Sequence, residues 1–384
     1  MVELFCSDQM QAKYAREART SYERGTPLEV RSIPGGIVFP LQLSETNQAE
    51  NNQYGGVCTA DLQFVDLSLT KRVSPPNFRC DFYDWFKGAS PGITAEEVEY
   101  VDEEVVFIGA MPKHYGHFIL EGLSRLWFYL EASNKRYRAV YISDEGEDRF
   151  LEFMQFFGIE SENIRKIEKP TRFRTVIVPE QSIRLHDYFH QNYKLTIERI
   201  KQAIEPVSNE KVYFSKKERR NDRAIGEEPI ARVLSNNGYK TYYPELMSLR
   251  ETVAVLRGAK RFAATSGTNI HNAIFLEDGA TSVCLSRSAH FHPVQTMIDR
   301  MKNLKAIYVD AYIFGLGINW SSGPFLLFPT RYVFKYFASE GMSFQRLNLY
   351  KKYPIYFLRY IFRLARRVAI NVLYPLYKKI RNFH

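Results

Sequence analysis

The chain has 384 residues, 45% of them hydrophobic and 25% charged, with a net charge of +9. Those values exclude a single small domain and a disordered chain, and they leave room for two domains with separate cores. The charge is local, which excludes a surface built throughout to hold nucleic acid: Glu340 is the last acidic residue, and Arg346, Lys351, Lys352, Arg359, Arg363, Arg366, Arg367, Lys378, Lys379 and Arg381 come after it.

Up to about residue 100 the chain offers strand-like pieces, such as 36–39 and 62–65, separated by Pro, Gly and Asn, and their pairing is not legible. From 103 onward the pattern is regular. It predicts a strand over 104–109, a helix over 115–132, a strand over 138–143, a helix over 148–157, a strand over 172–178 and a helix over 188–204. A second series has a strand at 211–215, a helix at 228–236 and a strand at 240–243. A helix at 248–258 carries a capping box in Ser248 and Glu251. Strands at 261–265, 281–285 and 306–309 complete it. Alternation of this kind predicts an α/β fold with parallel sheets, here two Rossmann-like domains joined near Glu205-Pro206 and facing a cleft. The chain divides on this reading into 1–205, 206–330 and a basic tail, 331–384.

Cys6, Cys58, Cys80 and Cys284 lack CxxC or zinc-type spacing and read as reduced thiols of an intracellular protein. Residues 1–19 mix both charges without an apolar core, so they do not read as a signal peptide. No run of about 18 uncharged apolar residues could cross a bilayer.

Three clusters could carry chemistry. In the first, His114, His117 and Glu121 share one face of the predicted helix 115–132, and Arg125 continues it. A carboxylate there could deprotonate a sugar hydroxyl. The same pattern fits a surface Glu121–Arg125 ion pair with two incidental histidines. A metal site of His114, His117 and Glu121 is a third option, although the spacing is not that of HExxH. The second cluster, Ser215 to Glu227, puts Arg219, Arg220 and Arg223 in the loop after a strand, where diphosphate oxygens would accept bidentate contacts; a solvated charged loop is the plainer reading. The third is Thr265-Ser266-Gly267-Thr268-Asn269-Ile270-His271-Asn272, between a short buried strand and an apolar helix. Free backbone N–H groups with a helix macrodipole behind them suit a phosphate, though such a turn is often only a helix start.

Residues 353–381 form an amphipathic object. Arg359, Arg363, Arg366 and Arg367 fit an i, i+4, i+7, i+8 pattern, and apolar and aromatic residues supply much of the rest. A helix lying in an anionic membrane interface needs that composition. A helix packed on the body with a solvated basic face, or one that binds RNA, would share it.

Taken in order, these clusters resemble glycosyltransferase family 61. The resemblance is carried by Tyr115-Gly116-His117-Phe118-Ile119-Leu120-Glu121-Gly122-Leu123-Ser124-Arg125-Leu126-Trp127, then by Phe214-Ser215-Lys216 with Arg223-Ala224-Ile225-Gly226-Glu227. Met247-Ser248-Leu249-Arg250-Glu251 and Gly267-Thr268-Asn269-Ile270-His271-Asn272-Ala273-Ile274-Phe275 continue it. Lys216 and Gly226 stand where Arg and Asn are usual. Ser266-Gly267-Thr268-Asn269 replaces the His-Gly-Ala-Gly of many members and is similar to a bacterial subgroup. The resemblance implies a GT-B-like fold and inverting, metal-independent transfer from a nucleotide-sugar donor, which is a substrate, with no cofactor. It also implies a role in capsule or other surface-polysaccharide synthesis.

On that reading Glu121 is the general base, with His117 or Arg125 orienting it. Ser215, Arg219, Arg223, Glu227, Ser266, Gly267, Thr268, Asn269, His271 and Asn272 hold the donor. Arg359, Arg363, Arg366 and Arg367 hold the inner face of the plasma membrane. The expected partners are the nucleotide sugar, a glycan or lipid-linked acceptor and the anionic inner leaflet, with no nucleic acid, and the expected location is cytoplasmic and peripheral. A pyruvyl transferase of similar architecture, or a non-enzymatic basic scaffold on membrane or RNA, would share several of these features.

Overall fold

The computed structural model describes residues 2–43, 53–70, 98–112, 114–143, 151–216, 224–290, 293–313 and 323–370. The chain forms two compact units, Ser21–Glu205 and Pro206–His384, and Met1–Thr20 belongs to the second of these. The first twenty residues therefore do not join 21–205, as the sequence division has them.

The second unit is built on a parallel sheet whose strands are labelled in chain order: β1 (Val2–Phe5), β2 (Asn209–Phe214), β3 (Lys240–Tyr242), β4 (Ala259–Thr265), β5 (Thr281–Ser286) and β6 (Lys305–Asp310). Their spatial order is β1-β6-β5-β4-β2-β3, and every neighbouring pair is parallel. The strands are apolar on both faces, as a sheet covered by helices on both sides requires; Val212, Tyr213, Phe214, Phe262, Ala263 and Ala264 are fully buried. Val2 pairs with Ala306 and Phe5 with Val309, and the Phe5 ring meets Tyr336 edge-on, which ties the N-terminus to this unit.

The covering helices are α1 (Glu228–Asn236), α2 (Leu249–Arg257), α3 (Pro293–Met301) and α4 (Arg331–Ser339), and α5 (Tyr353–Val368) comes after them. Ser248 caps α2 with the full reciprocal box to Glu251. Helix α4 is a core helix and not part of a membrane tail: Val333, Phe334, Tyr336 and Phe337 are buried, and the hydroxyls of Tyr336 and Tyr239 share a hydrogen bond. The basic tail therefore shrinks to α5 and the residues beyond it, of which 371–384 lie outside the described residues.

In Ser21–Glu205, strands Ile164–Lys166, Arg138–Ser143, Glu99–Met111 and Thr171–Pro179 run parallel side by side. Val30–Pro34 and Ile37–Leu43 pair antiparallel with Thr171–Pro179, and Gln53–Cys58 extends that edge. The helix predicted over 188–204 begins only at Gln191, because Tyr188–His190 pairs as a strand and the His190 ring caps Asn192 N–H. Of the helix predicted over 148–157, Glu152–Gln155 is helical, and 144–150 lie outside the described residues.

The helix predicted over 115–132 is not one helix. It breaks into an α turn (Tyr115–His117), a π turn (Phe118–Gly122) and a 3₁₀ turn (Leu126–Leu130). The Leu123 N–H reaches back five residues to Phe118 C=O. Gly116 and Gly122 weaken the α pattern, and a Cβ on Gly122 would lie 2.9 Å from the Phe118 ring. Such π turns are often found at functional sites.

The chain crosses between units along Pro206–Asn209, which passes over the end of α2. A Cβ on Gly258 would stand 1.9 Å from Val207 C=O, a backbone atom that the Val207 N–H bond to Ala254 holds in place. Gly258→Ala should therefore cost about 2–3 kcal/mol in chemical denaturation. Gly25→Ala, whose methyl meets nothing within 4 Å, should cost little. Equal effects would remove the steric argument.

Candidate functional site

The chain leaves β2, builds β3 on one side of it, and then returns across it to build β4 on the other. Loops leaving β2 and β4 therefore diverge, and a crevice opens outside their carboxyl ends; ligands of doubly wound sheets bind at such a switch point. Phe214 lies opposite Ala264, so Ser215 and Thr265 stand at the same level on that edge. Two of the sequence-predicted clusters are thus neighbours.

Beyond β4, Gly267 has φ 107° and ψ −156°, a conformation open essentially to glycine alone. It also makes room: a Cβ there would be 2.7 Å from Nη2 of Arg287. The Arg287 guanidinium lies over the Phe325 ring at 4.3 Å, and its backbone N–H donates to Ser266 Oγ. Sequence reasoning missed Arg287. The signal was a basic residue one position past the carboxyl end of β5.

The helix behind the turn is short. Thr268–His271 is a single α turn, and Asn272–Phe275 continues as 3₁₀. Little macrodipole stands behind the cup, so its suitability for an anion rests on Arg287 more than on the helix. Asn272 is buried and donates to the Thr268 and Asn269 carbonyls, which makes it a brace for the turn. Ser266 and Asn269 are buried too, while Thr268 and His271 are partly exposed.

His271 is wired inward. Gln295 donates through Nε2 to Asp299 Oδ1, so its amide oxygen faces His271 and accepts from Nδ1–H at 3.1 Å. That places the proton of the neutral ring on Nδ1. Asp299 also accepts from Ser282 Oγ and from the Tyr308 hydroxyl. Burial pushes the Asp299 carboxyl up to about 6, against the lowering effect of those donors.

At the β2–β3 side, a cavity of about 420 Å³ is lined by Ser215, Glu227, Arg232, Thr241, Tyr243 and Tyr356, among others. The Glu227 carboxylate in its lining accepts from the Tyr213 and Ser215 hydroxyls, each at 2.7 Å. Burial raises its pKa, and the Ser215 and Tyr213 donors with nearby Lys216 hold it down. Arg219, Arg220 and Arg223 lie outside the described residues.

In Ser21–Glu205, Glu121 is 3% exposed on the π turn and pairs with His117 Nδ1 at 2.9 Å. His117 is the more exposed partner, and its ring lies 5.0 Å from that of His114. The π turn is braced by side chains, with the Tyr193 hydroxyl on Ile119 C=O and Ser124 Oγ on Glu121 C=O. Arg125 turns away from Glu121. It is 1% exposed and donates to the backbone carbonyls of Pro179, Leu67 and Leu69. Burial lowers its pKa to about 10. Neither a Glu121–Arg125 surface pair nor orientation of Glu121 by Arg125 fits that geometry. Among the described residues, no three His, Cys, Asp or Glu side chains gather as a metal site requires.

The four tail arginines lie along one side of the helix Tyr353–Val368 but differ in exposure. Arg359 and Arg366 are exposed, while Arg363 and Arg367 are partly buried and Arg367 donates to Gly323 C=O. No helix among the described residues is long and apolar enough to cross a membrane.

Residues 115–284 match the model of the family described as Glycosyltransferase 61. The matched segment runs from the α turn at Tyr115–His117 in one unit to β5 in the other and includes Ser215, Glu227 and the turn at 265–272. No curated protein matches the chain. The family match supports a glycosyltransferase, an enzyme of the EC 2.4 class.

The buried carboxylate at the end of the His271 relay has a measurable consequence. Its folded pKa, about 6, lies above the ordinary value of 3.8, so the folded state holds the extra proton between those pH values. Stability from this group is full below about pH 4, falls as the pH climbs to about 6, and is level above. Relative to Asp299→Asn, the wild type should lose up to about 3 kcal/mol over that range in urea unfolding. A difference that does not vary with pH would contradict the assignment.

Proposed function

We propose that this chain, whose residues 115–284 carry the Glycosyltransferase 61 segment, transfers a sugar from a nucleotide-sugar donor to a glycan or lipid-linked acceptor, in the synthesis of capsule or another surface polysaccharide. The observation that carries the reading is the switch point between β2 and β4. A pocket lined by Glu227 and Ser215 lies on one side of β2 and an Arg-bearing glycine turn on the other.

The donor falls to the Pro206–His384 unit. Glu227 and Ser215 take the polar groups of the nucleoside. Ser266, Gly267, Thr268 and Arg287 take the diphosphate, with Arg219 and Arg223 of the neighbouring loop, and His271 is set by Gln295 to assist. Arg287 meets the negative charge that grows on the diphosphate as it leaves, so the charge needs no metal in this reading.

The acceptor chemistry falls to Glu121. Its carboxylate takes the proton of the acceptor hydroxyl, and His117 fixes the carboxylate's orientation. The acceptor oxygen forms the new bond at the anomeric carbon as the bond to the diphosphate oxygen breaks on the opposite face. A single displacement of that kind inverts the anomeric configuration. The nucleoside diphosphate departs with the electron pair.

Glu121→Gln keeps size and hydrogen bonding but cannot take the proton. It should lower kcat at least about 100-fold, with the donor KM changed little. Near-normal turnover in a folded variant would remove Glu121 as the base. A thermal-shift screen against UDP-, GDP-, dTDP- and CMP-sugars should show one donor that stabilises the fold, by about 2.7 kcal/mol at a hundredfold excess over Kd. Glu227→Gln and Arg287→Met should weaken that shift. No stabilisation by any of the four would overturn the reading.

A further inference from the structure

Helix α5 is held to the body by one face only. Tyr353, Tyr356 and Tyr360, spaced i, i+3, i+7, are buried against Ile225 and Leu326. Tyr353 donates its hydroxyl to Gly226 C=O at 2.7 Å, and Tyr356 donates to Glu228 Oε2 at 2.9 Å, where Lys352 Nζ joins it. The same stretch that forms the rim of the Glu227 pocket is thus fastened to α5, and Tyr356 is itself part of the pocket wall.

The opposite face is apolar and exposed. Leu358 and Phe362 are each 70% exposed, Ile355 58%, Phe357 52% and Ile361 45%. At 100° per residue these five side chains occupy one continuous arc, and Arg366 and Arg359 stand along its margin. A solvated face would not gather five large apolar side chains. The charges decide what covers it. Every charged residue after Glu340 is basic, so the surface suits an anionic occupant with an apolar layer beneath. A second copy of the chain would bring Arg359 and Arg366 against their own kind.

We propose that α5 lies in the interface of an anionic bilayer along its Ile355, Phe357, Leu358, Ile361 and Phe362 face, and that this seating fixes Tyr356 against Glu228 and so strengthens donor binding in the adjoining pocket. The first half stands on α5 alone, and the second rests on the proposed donor site.

The test uses the full chain with vesicles of phosphatidylcholine, alone or mixed with phosphatidylglycerol. Wild type should sediment with the mixed vesicles, less so at high salt, and weakly with phosphatidylcholine alone. Leu358→Ser with Phe362→Ser, both exposed and outside the core, should cut sedimentation at least about tenfold without lowering Tm. Arg359→Gln with Arg366→Gln should weaken only the salt-sensitive part. Unchanged sedimentation of the Leu358/Phe362 variant would overturn the proposal. So would wild type that ignores both vesicles, including one that dimerises through this face and becomes monomeric in the variant.

The nucleotide sugar found by thermal shift should bind at least about threefold tighter on mixed vesicles. That gain should vanish in the Leu358/Phe362 variant and in Tyr356→Phe. Equal affinity with and without vesicles would overturn the coupling and leave the membrane face standing. If no nucleotide sugar binds in either condition, the donor reading fails and the coupling falls with it, while sedimentation still judges the face.

Discussion

Parallel pairing of β2 with β4 sets the position of everything else in the Pro206–His384 unit. Because the chain makes β3 before it returns to β4, the two loops must part at the sheet's carboxyl edge. Residues beside the gap are small: Ala263, Ala264, Thr265, Ser266 and Gly267 run in succession. Large side chains there would fill the crevice and bar the guanidinium of Arg287. The glycine is thus a spatial requirement as much as a conformational one, since both its positive φ and the missing Cβ serve the approach of Arg287.

Two carboxylates in this unit, Asp299 buried and Glu227 half-buried, share one solution to desolvation. Glu227 is held by Tyr213 and Ser215, and Asp299 by Tyr308 and Ser282. Burial disfavours the charged form, and hydroxyl donors restore part of what water supplied. Both tyrosine hydroxyls are pushed well above their ordinary pKa by the same burial, so they remain donors at any working pH. Glu121 is different. Its partner is a half-exposed histidine, whereas Asp299 and its donors Ser282 and Tyr308 are all buried.

The periodic elements were legible because their pattern and their burial coincide. Glu228–Asn236, Arg138–Ser143 and the Ser248 capping box were readable from local rules alone. What was hidden depends on distant partners. The strand at Val2–Phe5 is too short to announce itself and gains its place only from Lys305–Asp310. The helix over 115–132 has helical periodicity, but Tyr193, Ser124 and Ser182 capture carbonyls that an α-helix would keep. Arg125 looked like a partner for Glu121 because i, i+4 spacing holds only in an α-helix, and the π turn breaks that register. Arg287 was invisible because its significance lies in Gly267, twenty positions away.

The same limit explains the tail. A helical wheel of arginines identifies a basic helix but does not tell which side meets the body. Tyr353, Tyr356 and Tyr360 decide that, since each fits where an apolar ring can pack. They take the inward face, which draws Arg363 and Arg367 partly in and leaves Leu358 and Phe362 outward. Burying the tyrosines costs the helix nothing in charge, whereas burying an arginine face would strand guanidinium groups. The exposed apolar arc is therefore a consequence of how the unit fastens this helix.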